Sequence, residues 1–480
     1  MECFEKKSWQ PRDAATRPQV DKLCLWVLAT YVLSCFTCVP TLRAQPGSSP
    51  TADGYRGIWF TLGQFSPYGD KYSGGLGTYT ANHVPVAIYA PQTKKTFFVY
   101  GGTRKAQRHL LIMASCYDHE SRSVPRPTIV HDKEGVNDPH DNPSLAIDDR
   151  GHLWVFVSGR GRSRPGFVYR STRPYDCASF EQVRKDELTY PQPWFISGRG
   201  FLHLFTKYTR GRELYFETST DGMRWNPAQK LAGIGGHYQV SAAHDGKVGS
   251  FFNRHPGGNV DRRTDLYYVE TADGGQTWTT VDGKPLTLPL TDIDNPARVI
   301  DYAKQNRLMY TMDLQFDAEA RPVLLYLTSA HHEPGPDGDP REWTVCAWTG
   351  SMWRTQVICR SDHNYDFGSL TIHDKRWTMI GSTEPGPQPW GTGGEIAIHE
   401  SLDAGQNWSK RSELTRNSRY NHAYVRRVVN GRDPFCYFWA DGDPKAQSES
   451  RLYFADSQGE HYWQLPYDMD DEFAKPAQLR

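Results

Sequence analysis

Residues that move protons and bind anions recur in one arrangement along this chain, at the openings of alternating apolar stretches. In NDPHDNPSLAIDD (137–149), His140 stands between two aspartates just before a strand pattern. Tyr238 opens the stretch HYQVSAAHDGK, and Arg254 ends the apolar run that follows it. Imidazole, phenol and guanidinium together suit β-elimination at a uronate. The proton α to a carboxylate is weakly acidic, and a guanidinium paired with that carboxylate stabilises the charge that develops when the proton leaves. His140 or Tyr238 then removes the C5 proton, and the other protonates the leaving glycosidic oxygen. A pair of catalytic carboxylates, which glycoside hydrolysis needs, is not required.

The elements that must position these groups are hairpins. Segments such as NHVPVAIYAPQTKKTFFVYGG, HDNPSLAIDDRGHLWVFVSGR and YPQPWFISGRGFLHLFTKY share one form: a polar opening, a strand, a tight turn and an apolar strand. Seven such segments predict an all-β, seven-bladed β-propeller of four-stranded antiparallel blades. The innermost strands of a propeller enter from one face, so their opening residues form a ring: His83, His140, Tyr190, His237 with Tyr238, Asp294 with Asn295, His363 with Tyr365, and Asn421 with His422. The loops after the second strands overlook that ring and are rich in arginine: GRGRSRP (159–165), YTRGRE (208–213) and NRHPGGNVDRR (253–263). Substrate contacts are therefore expected from Arg160, Arg164, Tyr208, Arg210, His237, His255, His83 and His363. Guanidinium forks suit carboxylate and sulfate, and aromatic rims suit sugar rings, so the implied partner is an anionic polysaccharide.

A second repeat lies in the turns. TSTDGMRWN (218–226), ETADGGQTWT (270–279) and ESLDAGQNWS (400–409) each follow an alternating strand and place Asp before small residues and Trp. The Asp side chain can bond the amides of its own turn, Gly takes the unusual φ, and Trp packs back. Weaker copies at 110–121, 166–176, 323–334 and 451–463 bring the number to seven, about fifty residues apart, a blade-sized spacing. The pattern resembles the Asp-box, or BNR repeat, of sialidase-like propellers.

YRGIWF (55–60), HDNPSLAIDD, SGRGRSRPGFVYRS and FFNRHPGGNVDRRTDLYYVET resemble the BNR-repeat proteins that include the seven-bladed ulvan lyases, over roughly residues 53 to 470. The resemblance implies a histidine of the HDNP strand acting with a tyrosine and an arginine of a later blade, at His140, Tyr238 and Arg254. Where it implies a second histidine, this chain has Arg160. It also implies a metal ion, zinc or calcium, with His363, His422 and Cys436 as the ligands on offer. Two other classes stay open. A sialidase-like hydrolase would use Arg56, Arg254 and a third arginine, with Glu384 the best acidic residue available. A non-catalytic glycan-binding propeller would use the same ring without chemistry.

Lysine plus arginine total 55 and aspartate plus glutamate total 55 among 480 residues, so no global field draws the chain to nucleic acid or membrane. Residues 1–44 read as an export leader: Lys22 precedes the apolar run LCLWVLATYVLSCFTCV, with cleavage expected near Ala44 or lipidation at Cys35. Residues 45–480 then form one exported, monomeric catalytic domain. Five cysteines lie outside the leader, too few and too odd for a disulfide framework, although Cys346 and Cys359 face each other in a hairpin pattern.

Overall fold

The computed structural model describes residues 48–480 apart from 77–82, 106, 108 and 137. The expected leader, with Ala44 and Cys35, lies outside the described residues. Alternating apolar residues give strands with one buried face, and nearly all regular structure is antiparallel sheet. Five sheets have four strands each, taken in chain order from inside to outside. They begin at Pro143–Ile147, Thr189–Ile196, Gln239–His244, Leu308–Phe316 and Gly368–His373. A larger sheet joins an early run starting at Ala87–Ala90 to a late run starting at Asn421–Arg432. The join is a parallel pairing of Ile88 with Val429. Gly57–Ile58 reinforces it, pairing with Glu449–Ser450 on one side and Gly102 on the other. Successive first strands pack against one another around the molecule, so their openings converge. This is a β-propeller.

The three strong Asp-box turns form as their side chains dictate. Asp221 Oδ1 accepts from the amides of Met223 and Arg224 at 2.8 Å, and Asp403 Oδ1 from those of Gln406 and Asn407 at 3.0 and 2.9 Å. Ser219, Thr271 and Ser401 hold the amides of Gly222, Gly275 and Gly405. Gly222 has φ +73°, and a Cβ there would stand 2.4 Å from the Trp154 ring, so both backbone angle and space demand glycine. Each turn therefore stacks its glycine against a neighbouring aromatic or aliphatic side chain.

Two expectations are corrected. Asp294 and Asn295 do not open an inner strand. Arg298–Ile300 is the outermost strand of its sheet, paired with Leu266 and Tyr267, and the next inner strand is Leu308–Phe316. The hairpin-like pattern there was a long connection ending in an edge strand, and the residue this blade sends to the ring is Tyr310. Cys346 and Cys359 do lie on adjacent strands, but the register sets Cys346 opposite Thr355 and Cys359 opposite Trp343, so they are not cross-strand partners.

Candidate active site

Inner-strand openings, joined by His255 from just past the end of the second strand Lys247–Arg254, build a continuous aromatic arc. His83 and His140 each lie 5.5 Å from Tyr190, centroid to centroid, Tyr190 lies 5.6 Å from Tyr238, and Tyr238 lies 4.8 Å from His255. All five are buried. Tyr190, in the middle, has φ +54°. An aromatic residue held in the left-handed region stores strain of about 1–3 kcal/mol, a feature that clusters at functional sites.

His140 is braced by carboxylates. Its Nδ1 meets Asp138 Oδ1, and its amide donates to the same oxygen at 3.0 Å. The Nδ1–H tautomer follows, which leaves Nε2 carrying the lone pair. Asp138 Oδ2 in turn accepts from Arg160 Nη1 at 3.0 Å and from Arg164, and Arg164 also pairs with Asp141 at 2.8 Å. Lys133 Nζ completes the network, 2.7 Å from Asp141. Burial pushes the His140 pKa below the ordinary value, against the upward pull of Asp138. Burial pushes Asp138 the other way, but its bonds to His140 and Arg164 hold it well below the usual carboxylate range. At neutral pH this is a neutral imidazole on an ionised carboxylate, the state of an oriented general base.

Tyr238 has a different setting. The Arg263 guanidinium carbon lies 4.6 Å from its ring centroid, and the same carbon lies 5.0 Å from Tyr310, 5.2 Å from Tyr365 and 5.9 Å from Tyr72. Arg263 is buried, and its Nε donates to the Val260 carbonyl at 2.9 Å. Tyr72 belongs to an N-terminal strap over this edge: its hydroxyl donates to Asp261 at 3.0 Å, and Lys71 pairs with Asp261.

The remaining expected residues divide clearly. Tyr208 reaches the site: the charges of Tyr238, Arg212 and Arg160 all act on its hydroxyl, and its ring lies 5.6 Å from the Arg212 guanidinium. His83 donates from Nε2 to the His140 carbonyl at 3.1 Å, and burial lowers its pKa to about 3. Arg210 is exposed on the rim. His237 is structural: its Nδ1 donates to the Asn253 carbonyl and its Nε2 accepts from the Ile234 amide. Arg254 turns to Asp265, Nε to Oδ2 at 2.8 Å, and the guanidinium stacked on Tyr238 is Arg263 instead. His363 accepts the Tyr365 amide at 3.1 Å, 5.6 Å from that ring. Arg263, Tyr72 and Tyr310 were missed in the sequence. Arg263 sits at the end of the arginine-rich loop, just before the strand TDLYYVET, but nothing in its spacing separates it from Arg262.

The candidate metal ligands do not fit an ion. His422 has both ring nitrogens engaged, by Ser418 and Trp439, and Cys436 donates to Asp433 at 3.3 Å. Among the described residues, no group of three or more His, Cys, Asp or Glu converges. The hydrolase constellation does not assemble either. Arg56 is buried between Asp53 and Asp468, and Glu384 pairs with Lys410 at 3.1 Å.

Among known proteins, an ulvan lyase of family PL25 from Pseudoalteromonas sp. (strain PLSV) is 22% identical over 255 residues, 45% of this chain and 51% of the relative. The chain thus spans about half the length of that curated relative. A solved PL25 ulvan lyase superimposes with a TM-score of 0.67 at 15% identity, covering 85% of this chain and 96% of that one. A second structure of it, bound to -[GlcA(1-4)Rha3S]-, gives the same values. The polysaccharide lyase Uly1 aligns with a TM-score of 0.57 at 12% identity over 88% and 99% of the two chains. At these identities the structural likeness establishes the fold. The model of the BNR repeat-containing family matches residues 100–361, more than half of the sequence, and the chain belongs to that family.

Proposed function

We propose that this protein is a secreted polysaccharide lyase that cleaves a uronate-containing, sulfated polysaccharide of the ulvan kind by β-elimination. The observation that carries the reading is the His140–Tyr190–Tyr238 arc, with a carboxylate-braced imidazole at one end and a guanidinium-backed phenol at the other. In the step, the C5 proton passes to the base, the C4–O bond breaks as the C4=C5 double bond forms, and the leaving oxygen gains a proton. His140 and Tyr238 are the groups for these transfers, and Arg160, Arg164, Tyr208 and Arg210 frame the bound anion. The ulvan lyase relatives support the activity class, and the -[GlcA(1-4)Rha3S]- bound to one of them supports the substrate class. In this reading the five four-stranded sheets and the two runs of the joined sheet count as seven blades. Residues 45–480 form one monomeric catalytic domain, exported by the leader 1–44.

The test is near-ultraviolet absorbance of the unsaturated uronate while the purified protein acts on ulvan, heparan and chondroitin sulfates, alginate and pectin. A rise on one polymer, lost in His140→Ala and in Tyr238→Phe, is expected. A flat trace on all of them from cooperatively melting protein sinks the reading. Saturable binding without product would leave a glycan-binding propeller, and release of free sialic acid a hydrolase.

A further inference from the structure

Arg263 is a buried cation without a counter-charge. No Asp or Glu among the described residues pairs with it, its Nη2 has no hydrogen-bond partner, and four tyrosine rings enclose it. An isolated charge in such a place is costly unless something nearby balances it. Ring faces offer part of the balance, because the guanidinium lies over their negative quadrupoles. A full opposite charge can come only from one of the phenols or from a bound anion.

We infer that Arg263 is the positioning residue that holds Tyr238 as its phenolate, making Tyr238 rather than His140 the base of the proposed elimination. Tyr238 is the nearest of the four rings. Burial pushes Tyr72 and Tyr365 upward and Tyr310 to about 12, against the pull of Arg263, and Tyr238 is as buried as they are, so its proximity to the guanidinium is what singles it out. The groups facing Tyr238 from neighbouring elements agree. His255, in edge contact with it, is kept neutral by burial and by the charges of Arg263, His237 and Arg212. Tyr190 packs edge-on against it, and Tyr208, whose phenol burial pushes up, lies beside it with Arg160 and Arg212 nearby. On its own sheet, Arg254 is already balanced by Asp265. The proton taken from C5 onto the Tyr238 oxygen is carried there until the leaving oxygen accepts it, so the phenolate returns each cycle and no net proton is consumed. Arg263, too buried to meet a polymer, acts through the phenol.

This inference rests on the lyase reading for its role but not for its test. Ionisation of Tyr238 is read without substrate, as the phenolate band in the near ultraviolet, taking wild type minus Tyr238→Phe across a pH titration. An ordinary phenol titrates near 10. The expected difference shows one phenolate titrating at least about 1.5 units lower. Arg263→Met should raise that midpoint by about one unit or more, and Arg254→Met by less. In an active protein the acidic limb of kcat/KM should move with the same midpoint. A Tyr238 midpoint at or above the ordinary value in wild type overturns the inference, even if the Arg263 variant does not fold. So does a larger shift from Arg254→Met than from Arg263→Met. A low midpoint in a protein that releases no unsaturated uronate would uphold the Arg263–Tyr238 pair and refute only the lyase reading.

Discussion

The two ends of the aromatic arc balance positive charge in opposite ways. Around His140, three cations (Lys133, Arg160 and Arg164) form direct ion pairs with two carboxylates, Asp138 and Asp141. Around Tyr238, Arg263 meets aromatic faces and one backbone carbonyl, and no carboxylate among the described residues pairs with it. The first arrangement fixes a tautomer and a ring orientation and keeps one positive charge in excess, with Arg160 partly exposed. The second leaves a charge available to act on a proton. A site that must both hold an anionic polymer and remove a weakly acidic proton has use for one end of each kind.

Substitutions can break this contrast in order of severity. Tyr238→Phe keeps the ring, and therefore the Arg263 stack, but removes the oxygen. Turnover should fall by about 10³-fold or more with little change in Tm, measured by product absorbance and by thermal melting. Asp138→Asn should lower turnover by about 10²-fold and stability by about 3 kcal/mol, because it frees the imidazole and leaves Arg160 and Arg164 short of a partner. Denaturant melts of the purified variant check the second figure.

Acid should sharpen the difference. His83 has its pKa lowered to about 3, His237 to about 4, and His255 well below the ordinary value, all by burial. Each is protonated more readily in the unfolded chain, so stability is at its full value above the unfolded pKa of about 6.5 and is lost as pH falls below it. At pH 5 each of the three costs up to about 2 kcal/mol. Asp138, held low by its bonds to His140 and then Arg164, keeps its contribution until the pH falls below about 4. Tm followed from pH 7 to pH 4 should therefore drop first through the histidines, and His255→Phe should flatten part of that slope.

The smallest effects belong to groups outside both ends. Lys71→Met opens the strap at Asp261. It should change KM severalfold and kcat little. Asp403→Asn, in an Asp-box turn, should lower Tm by a few degrees at most and leave turnover unchanged.

Much of this was legible in the sequence where one period dominates. Alternating strands, Asp-box turns and polar strand openings repeat often enough that each copy supports the others, and His140, Tyr190 and Tyr238 were placed together on that ground. The segment 292–302 misled because an edge strand and a following turn mimic a hairpin, and only pairing distinguishes an outermost strand from an innermost one. Arg263 and Arg254 were indistinguishable for a physical reason. Both flank the same loop, and which of them meets Tyr238 depends on Asp265, one residue into the next strand, capturing Arg254. Side-chain direction at a loop–strand junction is a tertiary outcome.

The pairing of Ile88 with Val429, and of Gly57 with Ser450, works like the lap joint of a hoop. Such a ring bears load only while the lap is intact. Residues near the carboxyl end, hundreds of positions from His140 in the chain, therefore hold the openings of the candidate site at their mutual distances. Cutting the chain in an exposed turn elsewhere on the rim, and linking the old ends, should disturb the site less than removing the last strands.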